Sequence, residues 1–145
     1  MMKPERFTEQ AQGVLAASHE LVKQYKHSQW DVEDVLAALL QQEEGLAQDV
    51  LQLLGVDREA LRSRVQATLA NLPRLSYEGA QIYATPRVAR LLENAEAEAQ
   101  RLKDEFIGVE HLLIAVTMER SGEAPAILRQ FGIDQEKIYR ALHQV

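Results

Sequence analysis

The groups able to hold a metal or move a proton are four histidines, His19, His27, His111 and His143, and 22 acidic residues. A metal centre needs ligands that converge on one point, which a helix supplies at HExxH or HxxxH spacing. No two of these histidines are so spaced, and they fall on different elements, so no metal ligand set is expected. General acid–base work needs buried, perturbed carboxylates. The acidic residues cluster instead as Glu43 and Glu44, as Glu93, Glu96 and Glu98, and as Asp104 and Glu105, on helix faces expected to be solvated. There is no cysteine, nothing resembles the GxSxG or SxxK settings of a serine nucleophile, and neither GxxxxGK[ST] nor GxGxxG occurs to cradle a phosphate. No cofactor is expected, and the chain reads as a binding domain with no enzyme chemistry of its own.

One polar pair does recur. Thr8 with Glu33, and Thr85 with Glu110, stand at the starts of successive helical patterns in two halves of the chain. Capping accounts for such residues: threonine accepts from early amides, and a glutamate near a helix N-terminus gains about 0.3 to 1 kcal/mol from the macrodipole. A hydroxyl, amides and a carboxylate at a helix start also form a polar rim on which a peptide or a cationic group can dock. The stretch KDEFIGVEHL, residues 103–112, is the second feature: Asp104 and Glu110 flank Phe106 and Ile107, which are expected to be core residues tucked between two helices. In the first half the matching stretch is KHSQWDVEDV, with His27 in the place of Asp104. Leu92, Ile82 and Tyr83 suit either the core or an exposed apolar groove.

The elements that must position these residues are helices. Apolar residues at i, i+3, i+4 and i+7 mark eight stripes, which are capped or stopped at Thr8, Asp31, Gly55, Asp57, Thr85, Gly132 and Asp134. Thr85-Pro86 places proline at the first helical position, where its missing amide costs nothing. Asn71 to Ala84, with Pro73 and Gly79, carries no helical stripe and is the linker. Residues 8–66 and 85–143 align without a gap at an offset of 77, with identities that include Leu15/Leu92, Lys26/Lys103, Gly45/Gly122 and Glu59/Glu136. Caps, stops and stripes in one register mean a true repeat, so the expected fold is all-α: one domain over 1–145, an eight-helix pseudo-twofold globule of two tandem four-helix units. Two copies are too few for an open solenoid.

Composition agrees. The chain is 46% hydrophobic, 6% aromatic and 26% charged, with a net charge of −6. An acidic field does not draw in nucleic acid or an anionic membrane. The longest apolar runs, VLAALL at 35–40 and LLIAV at 112–116, fall short of the ~20 residues a span requires. Without a signal-type stretch or cysteine, a cytoplasmic address is expected.

RFTEQA at 6–11, TPRV at 85–88 and FIGVEHLL at 106–113, in this order and at this repeat spacing, resemble the N-terminal domain of the Clp-type AAA+ unfoldases and disaggregases, ClpB, ClpC and ClpA. LPRLSYEG at 72–79 looks more like ClpB, whereas RFTEQA and TPR look as much like ClpC, so both types stay open. The resemblance implies a domain, monomeric when isolated, that binds unfolded or aggregated clients, or adaptor proteins, for a hexameric ATPase ring whose modules this chain lacks. It implies ClpB-type client handling at Thr8, Asp104 and Glu110 beside an apolar groove at Leu92. Alternatively it implies ClpC-type reception of phosphorylated arginine at Thr8 with Glu33 and Thr85 with Glu110, the carboxylate suiting the guanidinium and helix-start amides the phosphate. His111 stands where ClpB relatives carry a leucine of the groove, which implies a smaller apolar patch. The chain is then a fragment of such a protein or a free-standing homologue.

Overall fold

Helix starts follow the side chains that can satisfy free amides. The Thr8 hydroxyl accepts from Ala11 N–H at 3.1 Å, Thr85 from Val88 at 3.3 Å, Asp57 from Ala60 at 3.0 Å and Asp134 from Lys137 at 2.8 Å. Asp31 opens its helix within a capping box, its own N–H donating to the Asp34 carboxylate at 3.0 Å. The computed structural model describes residues 3–75 and 81–145, so Gly79 lies outside it. Among these residues eight helices follow in order: α1 (Glu9–Tyr25), α2 (Val32–Gln41), α3 (Leu46–Leu53), α4 (Arg58–Ala70), α5 (Pro86–Arg101), α6 (Val109–Met118), α7 (Glu123–Gln130) and α8 (Gln135–Leu142). Lys26 and Lys103, equivalent in the repeat, both close a long helix in the left-handed region at φ 58° and 61°.

The most apolar runs become the central helices. Val32–Leu40 of α2 is buried throughout, and so is His111–Val116 of α6. Each packs on the long helix before it, α1 and α5 respectively, and α2 also meets α6. The second helix pairs bind across the repeats, α3 on α6 and α8, and α4 on α7, so one core is shared.

Two short strands, β1 (Gln29–Trp30) and β2 (Tyr83–Ala84), pair in parallel, Gln29 with Tyr83 and Trp30 with Ala84. An isolated parallel bridge joins Phe7 to Ile107. Shifted by 77, the β1–β2 pairing becomes this second contact, so each repeat lays the residues before its first helix against the residues before the other repeat's second helix. The linker is stitched in as well: Leu75 N–H donates to Lys26 O at 2.8 Å and Ser28 N–H to Pro73 O at 3.0 Å.

Two sequence expectations fail. Glu98 is buried instead of solvated, because α8 brings the Tyr139 hydroxyl, which donates to its carboxylate, and Arg101 lies 3.6 Å away. Ile107 is fully buried, but Phe106 remains 47% exposed, since in a two-residue extended segment neighbouring side chains point to opposite faces.

Candidate functional site

The strand exchange regroups the polar residues. Thr85 meets repeat 1, its hydroxyl donating to Asp31 at 2.9 Å and its N–H to Trp30 O at 3.0 Å. Thr8 meets repeat 2, its N–H donating to Ile107 O at 3.0 Å. Pairing within a repeat, Thr8 with Glu33 and Thr85 with Glu110, therefore gives way to neighbourhoods across repeats: Thr85 with Asp31 and Glu33, and Thr8 with the start of α6.

The first neighbourhood is locked. Glu33 is 3% exposed, and its carboxylate accepts from Ala124 N–H at 2.9 Å. It thereby caps α7, whose own N-cap, Gly122, has no side chain to offer. Arg87, in the first turn of α5, forks onto the same carboxylate at 3.2 and 3.4 Å, reaches Asp31 at 3.2 Å, and donates to Ser121 O at 2.8 Å. Glu119, buried on the far side, lies 3.6 Å from Arg87 and 3.1 Å from Arg90. Burial opposes the Arg87 charge, yet the hydrogen bond to Glu33 and the charges of Glu33, Asp31 and Glu119 outweigh it and raise its pKa above the usual arginine value.

The second neighbourhood is open. Gly108 replaces Asp31 as N-cap, and the half-buried Glu110 carboxylate folds over it, where a side chain on Gly108 would collide with it. Gln10 stands at the position of Arg87, and its amide donates to Glu44 O at 2.6 Å. That bond copies the one from Arg87 to Ser121 but brings no charge. Asp104, with 48% of its side chain exposed, accepts from His111 Nε2 at 2.8 Å. His111 Nδ1 accepts from Gly108 N–H at 2.8 Å, so the proton resides on Nε2. Asp104, Glu110 and His111 bring ligand atoms within 4.8 Å of one another. A metal on Nε2 would require that proton to leave while Nδ1 keeps its role as acceptor, so the set fits a hydrogen-bonded acidic site better than a metal centre.

The two halves carry one histidine–aspartate hydrogen bond in reversed order. His27 and Asp34 in repeat 1 become Asp104 and His111 in repeat 2, seven residues apart in both. The repeat 1 counterpart of Asp104 is thus a group of opposite charge, His27. His27 is 1% exposed and its two ring nitrogens contact Asp34 at 2.7 Å and Leu69 O at 2.8 Å. With two acceptors it is held as imidazolium; burial acts against the charge, but the Asp34 hydrogen bond, the Leu69 carbonyl and the Asp34 charge raise its pKa.

Between α1 and α5 runs a groove of about 1150 Å³ floored by Phe7, Leu15, Trp30, Val88 and Leu92. Arg6 and Glu96 meet across it at 3.6 Å. Ile107 N–H donates to Arg6 O at 2.8 Å, so one ribbon of chain separates the groove from the Asp104–Glu110 site. Leu92 lies in the groove, Asp104 and Glu110 come together, Thr8 and Thr85 cap helices, and Glu33 is sealed by Arg87. Sequence reasoning missed Arg87 and Trp30. The difference between Arg87 and Gln10 at equivalent positions is the signal that would have found the first.

Among the described residues no helix is long and apolar enough to cross a membrane. Residues 6–144 match the family described as "Clp repeat (R) N-terminal domain". The chaperone protein ClpB of Gloeobacter violaceus is 33% identical over 143 residues, covering 98% of this chain and 16% of that protein. The Bacillus subtilis protein described as negative regulator of genetic competence ClpC/MecB is 31% identical over 140 residues, covering 97% of this chain and 17% of its own length. The chain thus spans about one sixth of these curated relatives. A complex of the ClpV N-domain with a VipB peptide superposes with a TM-score of 0.74 at 16% identity, over 92% of this chain and 82% of that one. With its two-copy helical architecture and a family match over nearly its whole length, the chain belongs to the Clp repeat N-terminal domain family.

Proposed function

We propose that this is a non-catalytic recognition domain that binds unfolded or aggregated polypeptide, or an adaptor, for an AAA+ ring. In this reading the groove takes apolar side chains while Asp104 and Glu110 take a cationic one. The observation that carries it is the adjacency of a large apolar groove and an acidic site that, among the described residues, no lysine or arginine fills. The peptide in the ClpV complex supports peptide binding by this fold. The domain would work in the cytoplasm, as a monomer when isolated, without nucleic acid or membrane as partner. Titration with casein tests it: Asp104→Ala and Glu110→Ala should each weaken binding severalfold and Leu92→Ser should weaken it more. Equal binding by wild type and all three variants removes this face from the mechanism.

A second, ClpC-like reading has its own support. Glu33 already holds a guanidinium at a helix start, so this fold accommodates an arginine-type ligand against such a carboxylate. Free phosphoarginine should then shift amide resonances around Glu110; no shift there or near Glu33 ends that reading.

A further inference from the structure

The acidic cup at the starts of α2 and α7 is built as a receptor for a guanidinium. Glu33 and Asp31 come from the start of α2, Glu119 and the Ser121 carbonyl from the segment before α7, and only the tip of Arg87 enters from α5. Glu33 binds both terminal nitrogens, the forked geometry that distinguishes a guanidinium from an ammonium. With Glu33 at 3% exposure, the cup without a cation would hold an uncompensated buried carboxylate. On the other half the equivalent Gln10 keeps the backbone contact to Glu44 and, among the described residues, leaves Glu110 without a guanidinium.

We propose that Arg87 is a built-in ligand: the chain fills its own Glu33 site with a guanidinium, closing that half of the pseudo-twofold to outside cations and leaving one acidic site per domain, at Glu110. The two recognition sites that the repeat suggests are thereby reduced to one. Removal of the Arg87 side chain should create a second site of known ligand chemistry.

The test is chemical rescue of Arg87→Ala by guanidinium ion at low-millimolar concentration, with potassium chloride at matched ionic strength as control. Guanidinium should raise the melting temperature of the variant saturably, by roughly 3 °C more than that of wild type, and shift the Ala124 amide resonance. The added Glu33→Gln change should abolish both effects. Rescue no greater than in wild type, matched by potassium, or surviving Glu33→Gln overturns the proposal. If Arg87→Ala does not fold, Arg87→Gln, which copies Gln10, is scored by the same criteria. No client is present, so failure here and failure of casein binding at Glu110 are separately visible.

Discussion

The two helix-start sites share a backbone and differ in five side chains. Around Glu33 stand Asp31, Arg87 and Glu119; around Glu110 the equivalents are Gly108, Gln10 and Gln42, and the His27–Asp34 pair is reversed as Asp104–His111. The first site binds itself and becomes part of the structure. The second keeps its acid half-exposed beside the groove. A duplicated fold can thus lock one copy of a site into the structure and leave the other open, with no change in the chain path.

The sharpest break of this comparison is loss of the carboxylates. Glu33→Ala strands the partly buried Arg87 charge and uncaps α7, at a cost of about 3 kcal/mol, whereas Glu110→Ala should cost under about 0.5 kcal/mol. Urea denaturation measures both, and similar costs would mean that the halves are not differently used.

The histidine pair differs in the same direction. His27 has its folded pKa raised above 6.5, so its contribution is fully present below that ordinary value and is lost as pH rises through the raised one. Stability should therefore fall on the alkaline side of that window, and His27→Gln should be less stable with a flattened profile. A wild-type pH profile unchanged by His27→Gln would show that His27 is not held as imidazolium.

The local half of this organisation was legible in the sequence, because helix caps, stripes and glycine stops are set by residues within one turn of each other. Thr8, Asp31, Asp57, Thr85 and Asp134 all cap where their spacing indicates. The groupings were not legible, because they depend on β1 and β2, strands of two residues that carry no period to read. Glu98 illustrates the same limit: its burial depends on Tyr139, 41 residues away. Aligned repeats reward attention to identities, yet the structural asymmetry of the two sites sits in the mismatches, above all Gln10 against Arg87.

That mismatch can be reversed. Gln10→Arg should supply Glu110 with the guanidinium it lacks, raise stability by about 0.5 kcal/mol, and weaken casein binding as Glu110→Ala does. Adding Gly108→Asp, which restores the equivalent of Asp31 once the Glu110 carboxylate has swung off Gly108 onto the new guanidinium, should strengthen both effects. Unchanged casein binding in the double variant would separate Glu110 from recognition.

The smallest effect bears on what the halves still share. Lys26 and Lys103 hold φ near 58° and 61°, a region that crowds any residue with a Cβ and suits glycine. Lys26→Gly and Lys103→Gly should each stabilise by about 0.5 kcal/mol, after allowing for the lost charge at a helix C-terminus. The two gains should agree closely, although Lys26 lies beside the locked His27 and Lys103 beside the open Asp104. Equal gains in thermal melts would place the asymmetry in side chains alone; unequal gains would mean that the backbone of the open half has relaxed as well.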